Sequence, residues 1–328
     1  MSDLAGARMA FDQASGWVER ISNEYFKSWA AFELARGLFE CALSSGEQAF
    51  ARQAQTCIDK AQNPYFRVLC RCEAAKYILA TGGKKEGRTL LAELERTART
   101  LDKDHSRASA LCECAEVRER LGDPKGAEKD LQDAQEMAEG IDNSYFRSWA
   151  LSGLVRCGAR IARDTGDTRV LEKYQGIMGK LEDRYLEAWA HAEVARTMCT
   201  LKDKKSCKKA LDMAMAAARQ VRDPVNAAMG MTEIALAAIQ HGDRTLAEEV
   251  RDKTGLSALN LREHQRSLVL SEVARMMASL GDDLGAKRRI QDAIDLAQPV
   301  SYEYFRSWAL SGVVHALAHL GTVLAKKT

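Results

Sequence analysis

One position recurs about every forty residues from end to end of the chain. It is held by Tyr25, Tyr65, His105, Tyr145, Tyr185, Val225, His264 and Tyr304; every gap is 40 residues except the 39 from Val225 to His264. Two copies are nearly the same over a long stretch, SYFRSWALSGLV from Ser144 and EYFRSWALSGVV from Glu303. A period between roughly 20 and 50 residues marks a solenoid or stacked array, in which each repeat packs only on its neighbours. A chain of 328 residues would otherwise split into two globular domains. The expectation is instead one repeat domain over 1–328, with repeats beginning near 22, 62, 102, 142, 182, 222, 261 and 301 and an N-terminal half-repeat helix over 2–20.

The segment from Asp142 to Leu181 shows how one repeat is built. Asp142, Asn143 and Ser144 are good N-cap types. Helix A follows from about Tyr145, with Leu151, Leu154, Val155 and Ile161 on one face. Gly166-Asp167 ends it, since glycine suits a left-handed C-terminal position. Helix B then runs through Val170, Leu171, Tyr174, Ile177, Met178 and Leu181. Elsewhere Gly82, Gly122, Gly242, Gly281 and Gly321 lie 17 residues after their marker, whereas Gly46 and Gly166 lie 21 after theirs. Four extra residues are about one helical turn, so those two A helices are expected to be one turn longer. The pair of positions nine and ten after the marker, such as Leu34-Ala35 and Val194-Ala195, is apolar or small in every copy and reads as the seam between helices A and B.

The ends of the chain differ. Asp3, Ala7, Phe11 and Ala14 align with Asp123, Ala127, Leu131 and Ala134, so the chain starts with a B helix; it stops inside an A helix at Leu320-Gly321. Roughly sixteen helices follow from this. The order either leaves two unlike capping ends or lets the first helix complete the last repeat; open ends are the simpler expectation.

Composition bounds the function. Lys and Arg number 48 against 46 Asp and Glu, a balance that argues against nucleic-acid binding. The N-terminus has no signal-like apolar core, and no run of eighteen apolar residues suggests a membrane span. Nine cysteines show no disulfide framework, which points to a reducing, cytoplasmic setting.

Two segments carry a family resemblance. Gly122-Asp123-x-x-x-Ala127-x-x-x-Leu131-x-x-Ala134 and Gly281-Asp282-x-x-x-Ala286-x-x-x-Ile290-x-x-Ala293 resemble the second helix of a tetratricopeptide repeat. Ala115 and Ala274 match the small residue that precedes the turn. The likeness extends over the whole chain, with repeats of 40 residues in place of the usual 34 and without the closing proline in most copies. It implies an all-α, right-handed superhelical solenoid of about eight antiparallel helix pairs, whose concave wall is lined by helix A and holds the ligand.

On that wall three columns stand four, eight and eleven residues after the marker, on one helical face. The first holds Trp29, Trp149, Trp189 and Trp308, with Leu69, Met229 and Leu268. The second holds Glu33, Glu73, Glu113, Glu193, Glu233 and Glu272. The third holds Arg36, Lys76, Arg156, Arg196, Arg275 and His315. The tryptophans read either as packing between repeats or as partner-binding anchors. The charges read as i, i+3 pairs, as a ladder between repeats, or as ligand contacts. Two copies depart together: Gly153 and Gly312 replace the glutamate beside Trp149 and Trp308, leaving Arg156 and His315 without an acid three residues earlier. A mid-helix glycine costs about 0.5–1 kcal/mol against alanine, so a neighbouring side chain or a ligand needs that space. A further basic column, Lys27, Arg67, Arg107, Arg147, Arg266 and Arg306, lies in the first turn of helix A, where the helix dipole disfavours it. A fixed acid or carbonyl of the preceding repeat is the expected partner, with an anionic ligand as the alternative.

Catalytic and metal chemistry are not visible. His315 and His319 are four apart but make only two ligands without an HExxH context. The Cys70/Cys72 and Cys112/Cys114 pairs diverge on a helix and read as small apolar fillers. No phosphate-binding glycine loop or nucleophile elbow occurs, and no cofactor is implied. The expected function is a non-catalytic scaffold binding a protein or peptide, with arginines meeting its acidic groups. The rivals are a nucleic-acid-binding helical repeat and, behind it, an α/α-toroid enzyme, which would need an unpaired central acid cluster.

Overall fold

The computed structural model describes residues 3–326. The protein is all-α: 85% helical, with no strand among the described residues. Eight A helices alternate with eight B helices in neighbouring pairs. The A helices are α2 (Glu24–Ser45), α4 (Pro64–Ala80), α6 (Asp104–Leu121), α8 (Ser144–Thr165), α10 (Arg184–Thr200), α12 (Pro224–His241), α14 (Glu263–Ser279) and α16 (Glu303–Lys326). The B helices are α1 (Leu4–Arg20), α3 (Gln48–Lys60), α5 (Lys84–Arg99), α7 (Pro124–Glu139), α9 (Arg169–Gln175), α11 (Lys204–Ala218), α13 (Arg244–Ser257) and α15 (Asp283–Ala297). The helices gather into two compact units, residues 1–80 with 248–328, and residues 81–247.

Local chemistry sets the boundaries. Asn23, Asn143, Asp183 and Asp223 cap A helices by accepting from the backbone N–H three residues on. Asp3, Asp123, Asp203 and Asp282 do the same for B helices. Gly46, Gly82, Gly122, Gly166, Gly242 and Gly281 stop A helices in the left-handed conformation. The fifth repeat has no glycine there, and Lys202 adopts it at φ 63°. Helices α2 and α8 are 22 residues long against 17 for α4 and α10, the extra turn set by the later glycine. Helix B of the fourth repeat is shorter than the sequence suggests. It ends at Gln175 and gives way to a 3-10 turn at Met178–Lys180, because Gly176 and Gly179 interrupt the pattern within four residues.

The seam columns are buried throughout: Leu34, Cys114, Leu154 and Ile234, like Ala35, Ala75, Ala115, Val155, Ala195, Ala235 and Val314, have no exposed surface. The first-turn basic column also has its reason. The guanidinium groups of Arg67, Arg107, Arg147 and Arg306 donate to the carbonyls of Ala61, Leu101, Ile141 and Val300, each six residues back. The cation that offends the dipole of its own helix thus caps the C-terminal end of the helix before it, where a cation is favourable.

The chain ends are joined, which corrects the expectation of open ends. Helix α1 packs on α16 as its B partner, and the Asp3 N–H donates to the Leu324 carbonyl at 3.1 Å. The next contact reproduces the one between successive repeats. The Ser28 hydroxyl accepts from the Asn63 N–H and the Ser148 hydroxyl from the Glu182 and Asp183 N–H groups; in the same way the Ser307 hydroxyl accepts from the Asn23 N–H at 3.2 Å. The marker rings behave alike. Tyr25 meets Phe66, His105 stacks on Phe146, His264 stacks on Phe305, and Tyr304 meets Phe26 at 5.0 Å between centroids. At these four places the marker is a ring that one repeat lays on the next, and the last repeat lays its ring on the first.

Gly321 does not stop a helix, as its place in the repeat implied. Helix α16 runs through it to Lys326, because Phe11 of α1 fills the space where a side chain would stand: a Cβ there would lie 2.9 Å from the ring. Gly37 allows the same close approach on α2, 3.3 Å from Phe11 and from the Ala318 carbonyl. By length and composition α16 could cross a membrane, but 83% of its apolar window is buried inside the protein, against α1, α2 and α14.

Candidate functional site

The three A-helix columns sit differently in the two compact units. In the unit of residues 1–80 and 248–328, Trp29 is half-buried and its indole N–H donates to Glu33 at 3.3 Å. Glu33 also holds Arg36 at 2.5 Å. Arg36 keeps nearly half of its side chain exposed, 45%. Burial works against its charge, but Glu33 and then Glu73 outweigh that and hold the guanidinium above its ordinary value. Trp308 stacks nearly parallel to Phe26 at 6.4 Å.

His315 lacks an acid on its own helix and finds one across the joined ends: its Nε2 is 3.5 Å from Glu33. His319 instead meets the Ser279 hydroxyl at 2.7 Å. The two histidines have separate partners. At Gly312 the space is taken by the protein itself, for a Cβ would lie 2.8 Å from Leu268 Cδ2.

In the unit of residues 81–247 the charges form a ladder across repeats. Arg160 of α8 reaches back to Glu113 at 2.7 Å and Glu116 at 2.5 Å on α6. Arg163 reaches forward to Glu193 on α10 at 2.8 Å. Arg196 holds Glu193 at 2.5 Å and Glu233 of α12 at 2.9 Å. Glu193 is only 4% exposed. Burial pushes its carboxyl up, but Arg196, Arg163 and Arg160 together overcome that and hold it far below the usual carboxylate range. With Glu73–Lys76 at 2.9 Å and Glu272–Arg275 at 2.7 Å, all six glutamates of the column have a cationic partner.

The exception is the fourth repeat. Trp149 is half-buried beside Tyr145, at 6.3 Å. The Arg156 guanidinium lies 3.6 Å over the ring of Trp189 from the next helix, a close cation–π contact. A Cβ at Gly153 would meet nothing nearer than 3.9 Å, and its neighbours would be Arg156 Nη2 and the hydroxyl of Ser109 on α6. Ser109 is 8% exposed and its Oγ has no hydrogen-bond partner. Gly153 and Gly312 thus look alike in sequence and differ in space: a Cβ at Gly312 would collide with Leu268, whereas one at Gly153 would make only ordinary contacts with Arg156 and Ser109.

One cluster escaped the sequence reading. Cys199 at the end of α10, Cys207 on α11 and His241 at the end of α12 bring three ligand atoms within 4.8 Å of one another. Cys199 and Cys207 are joined in a disulfide, while the other seven cysteines are buried thiols outside any disulfide. The signal was present in the repeat register. Cys207 stands where Ala127, Ala247 and Ala286 stand, and His241 where Leu121, Leu201, Leu280 and Leu320 stand.

Set against known proteins, the chain matches no family model and shows no significant similarity to any curated protein.

Proposed function

We propose that the protein is a non-catalytic, cytoplasmic scaffold of tetratricopeptide-like repeats that binds a protein or peptide through the A-helix face. The observation that carries this reading is the unpartnered Ser109 hydroxyl beside Gly153, where the column lacks its glutamate. A buried hydroxyl without a partner is costly to leave unmade, and Ser109 Oγ lies 3.9 Å from where a Cβ would stand at Gly153, the place where most repeats carry a glutamate. Trp149 and Trp189 supply the aromatic walls, and Arg156 is held in place over Trp189. A carboxylate from an acidic side chain or a chain terminus fits this chemistry: it would accept from both Ser109 and Arg156, in charge-assisted bonds. Half-buried tryptophans at the rim suit anchoring of the residues beside it.

The rivals draw less support. Of the arginines that would track a phosphate backbone, Arg36, Arg196 and Arg275 hold glutamates and Arg67, Arg107, Arg147 and Arg306 donate to carbonyls. The acids that a toroidal enzyme would need are paired.

The test is Gly153→Glu, which restores the residue most repeats carry at this place. Wild type and variant are immobilised side by side, exposed to native cell extract and to a library of acid-terminated peptides, and melted in parallel. A partner or peptide retained by wild type and lost by the variant at equal melting temperature supports the reading. Equal retention by both would count against it. Sub-micromolar binding of RNA or DNA at physiological salt would favour the nucleic-acid reading.

A further inference from the structure

We propose that, once its disulfide is opened, the Cys199–Cys207–His241 cluster is a binding site for Zn2+. One ligand distance is already what the ion needs, and the two sulfurs separate when the disulfide opens. A tetrahedral zinc with Zn–S near 2.3 Å and Zn–N near 2.0–2.1 Å sets a sulfur and a nitrogen about 3.6 Å apart. Cys199 Sγ and His241 Nδ1 are 3.6 Å apart, and all three ligand atoms fit within 4.8 Å. The donors come from three consecutive helices, α10, α11 and α12, all inside one compact unit. Two of them depart from the repeat pattern: thiol for alanine at Cys207 and imidazole for leucine at His241.

The donor set also selects the metal. Two thiolates and an imidazole are soft to borderline ligands, suited to zinc and poorly suited to Mg2+ or Ca2+. Zn2+ with two thiolates and a neutral imidazole carries no net charge, which suits a site that is buried at Cys207 and half-buried at Cys199 and His241. Three protein ligands leave the fourth tetrahedral position to water, so the ion would be accessible to a small donor from outside. Among the described residues no other group of three such ligands occurs.

The ion needs the dithiol. A phosphine reductant supplies it in a balanced step. The phosphorus electron pair breaks the S–S bond, water gives its oxygen to the phosphine, and the two water protons end on Cys199 and Cys207. Zn2+ then displaces both thiol protons into solvent.

The experiment uses the full chain, reduced with phosphine, freed of reductant and kept anaerobic. It is titrated with Co2+ alone and then with Zn2+. The expected result is one Co2+ per chain, with thiolate charge-transfer absorption and tetrahedral ligand-field bands, displaced by one Zn2+. Cys207→Ala and His241→Leu install the residues that other repeats carry, so each is expected to melt with the metal-free, reduced wild type. Losing even an outer-shell partner of a metal ligand costs about 10–100-fold in affinity, so loss of a ligand itself in Cys207→Ala or His241→Leu is expected to weaken zinc by at least about 10-fold. The chain with its disulfide intact is expected to take up none. Three results would overturn the proposal: no uptake by the reduced chain below about 10 μM Zn2+, equal uptake by both variants, or equal uptake by the oxidised chain.

Discussion

Replacing Phe11 with alanine tests the joint between the ends of the chain. Phe11 has no exposed surface and meets Phe50 edge to face at 5.6 Å. Its ring presses on the two glycines where α16 and α2 approach most closely, at 2.9 Å and 3.3 Å from where their Cβ atoms would be. Truncating a buried phenylalanine costs about 3–5 kcal/mol, the value depending on how far the site can collapse. Here it collapses little, because two of the walls are helix backbone with no side chain to swing inward. The aromatic pair is lost as well. The expected loss is therefore in the upper half, about 4–5 kcal/mol. In a unit of this size that lowers the melting temperature by on the order of 10 °C. Thermal and urea unfolding of wild type and Phe11→Ala, followed by circular dichroism, measure it. An open-ended array would leave Phe11 only its contacts with Phe50 and α2 on an outer cap, where its loss costs less. A loss below about 1 kcal/mol would refute the joined ends.

Three further outcomes are expected. Gly153→Glu should leave stability nearly unchanged, whereas Gly312→Glu should cost about 1–3 kcal/mol by driving against Leu268; paired melting curves compare them. Ala195→Leu should cost about 1–3 kcal/mol in urea unfolding, because the seam position has no exposed surface. Glu193→Gln should cost about 3–5 kcal/mol at pH 7 by removing the buried acid that Arg163 and Arg196 share, with Arg196 keeping Glu233. Its folded carboxyl is held below the unfolded value of about 4.3, so this contribution is complete above that pH and shrinks as pH falls toward the folded value; urea midpoints of both proteins from pH 7 to pH 3 would show it.

Much of the fold was legible because each repeat writes its own punctuation. Asn143, Asp123 and Gly166 act where their chemistry implies, and the four-residue shift of Gly46 and Gly166 became one helical turn. The partner of the first-turn arginines was legible in part, since a misplaced cation implied an acid or carbonyl of the preceding repeat, and the structure selects the carbonyl. The joint of the ends was not, because Phe11 and Gly321 lie 310 residues apart and a glycine reads the same as a stop or as a close approach. The difference between Gly153 and Gly312 was hidden for a related reason: it depends on which way Leu268 of a neighbouring helix points. Ser109 carries no signal in sequence, since its importance is the absence of a partner. Cys199, Cys207 and His241 lie on three helices at no motif spacing, and only departure from the repeat marks them.

The joining of last repeat to first is tested most directly by zero-length carbodiimide crosslinking of the dilute protein, read by mass spectrometry. Lys326 of α16 forms an ion pair with Glu40 of α2, and Lys173–Glu128 at 2.9 Å and Lys180–Glu139 at 2.8 Å serve as pairs of ordinary neighbours in the same sample. Joined ends predict a Lys326–Glu40 link within single chains alongside the other two. Recovery of the two neighbour links without any link from the last helix to α2 would contradict it.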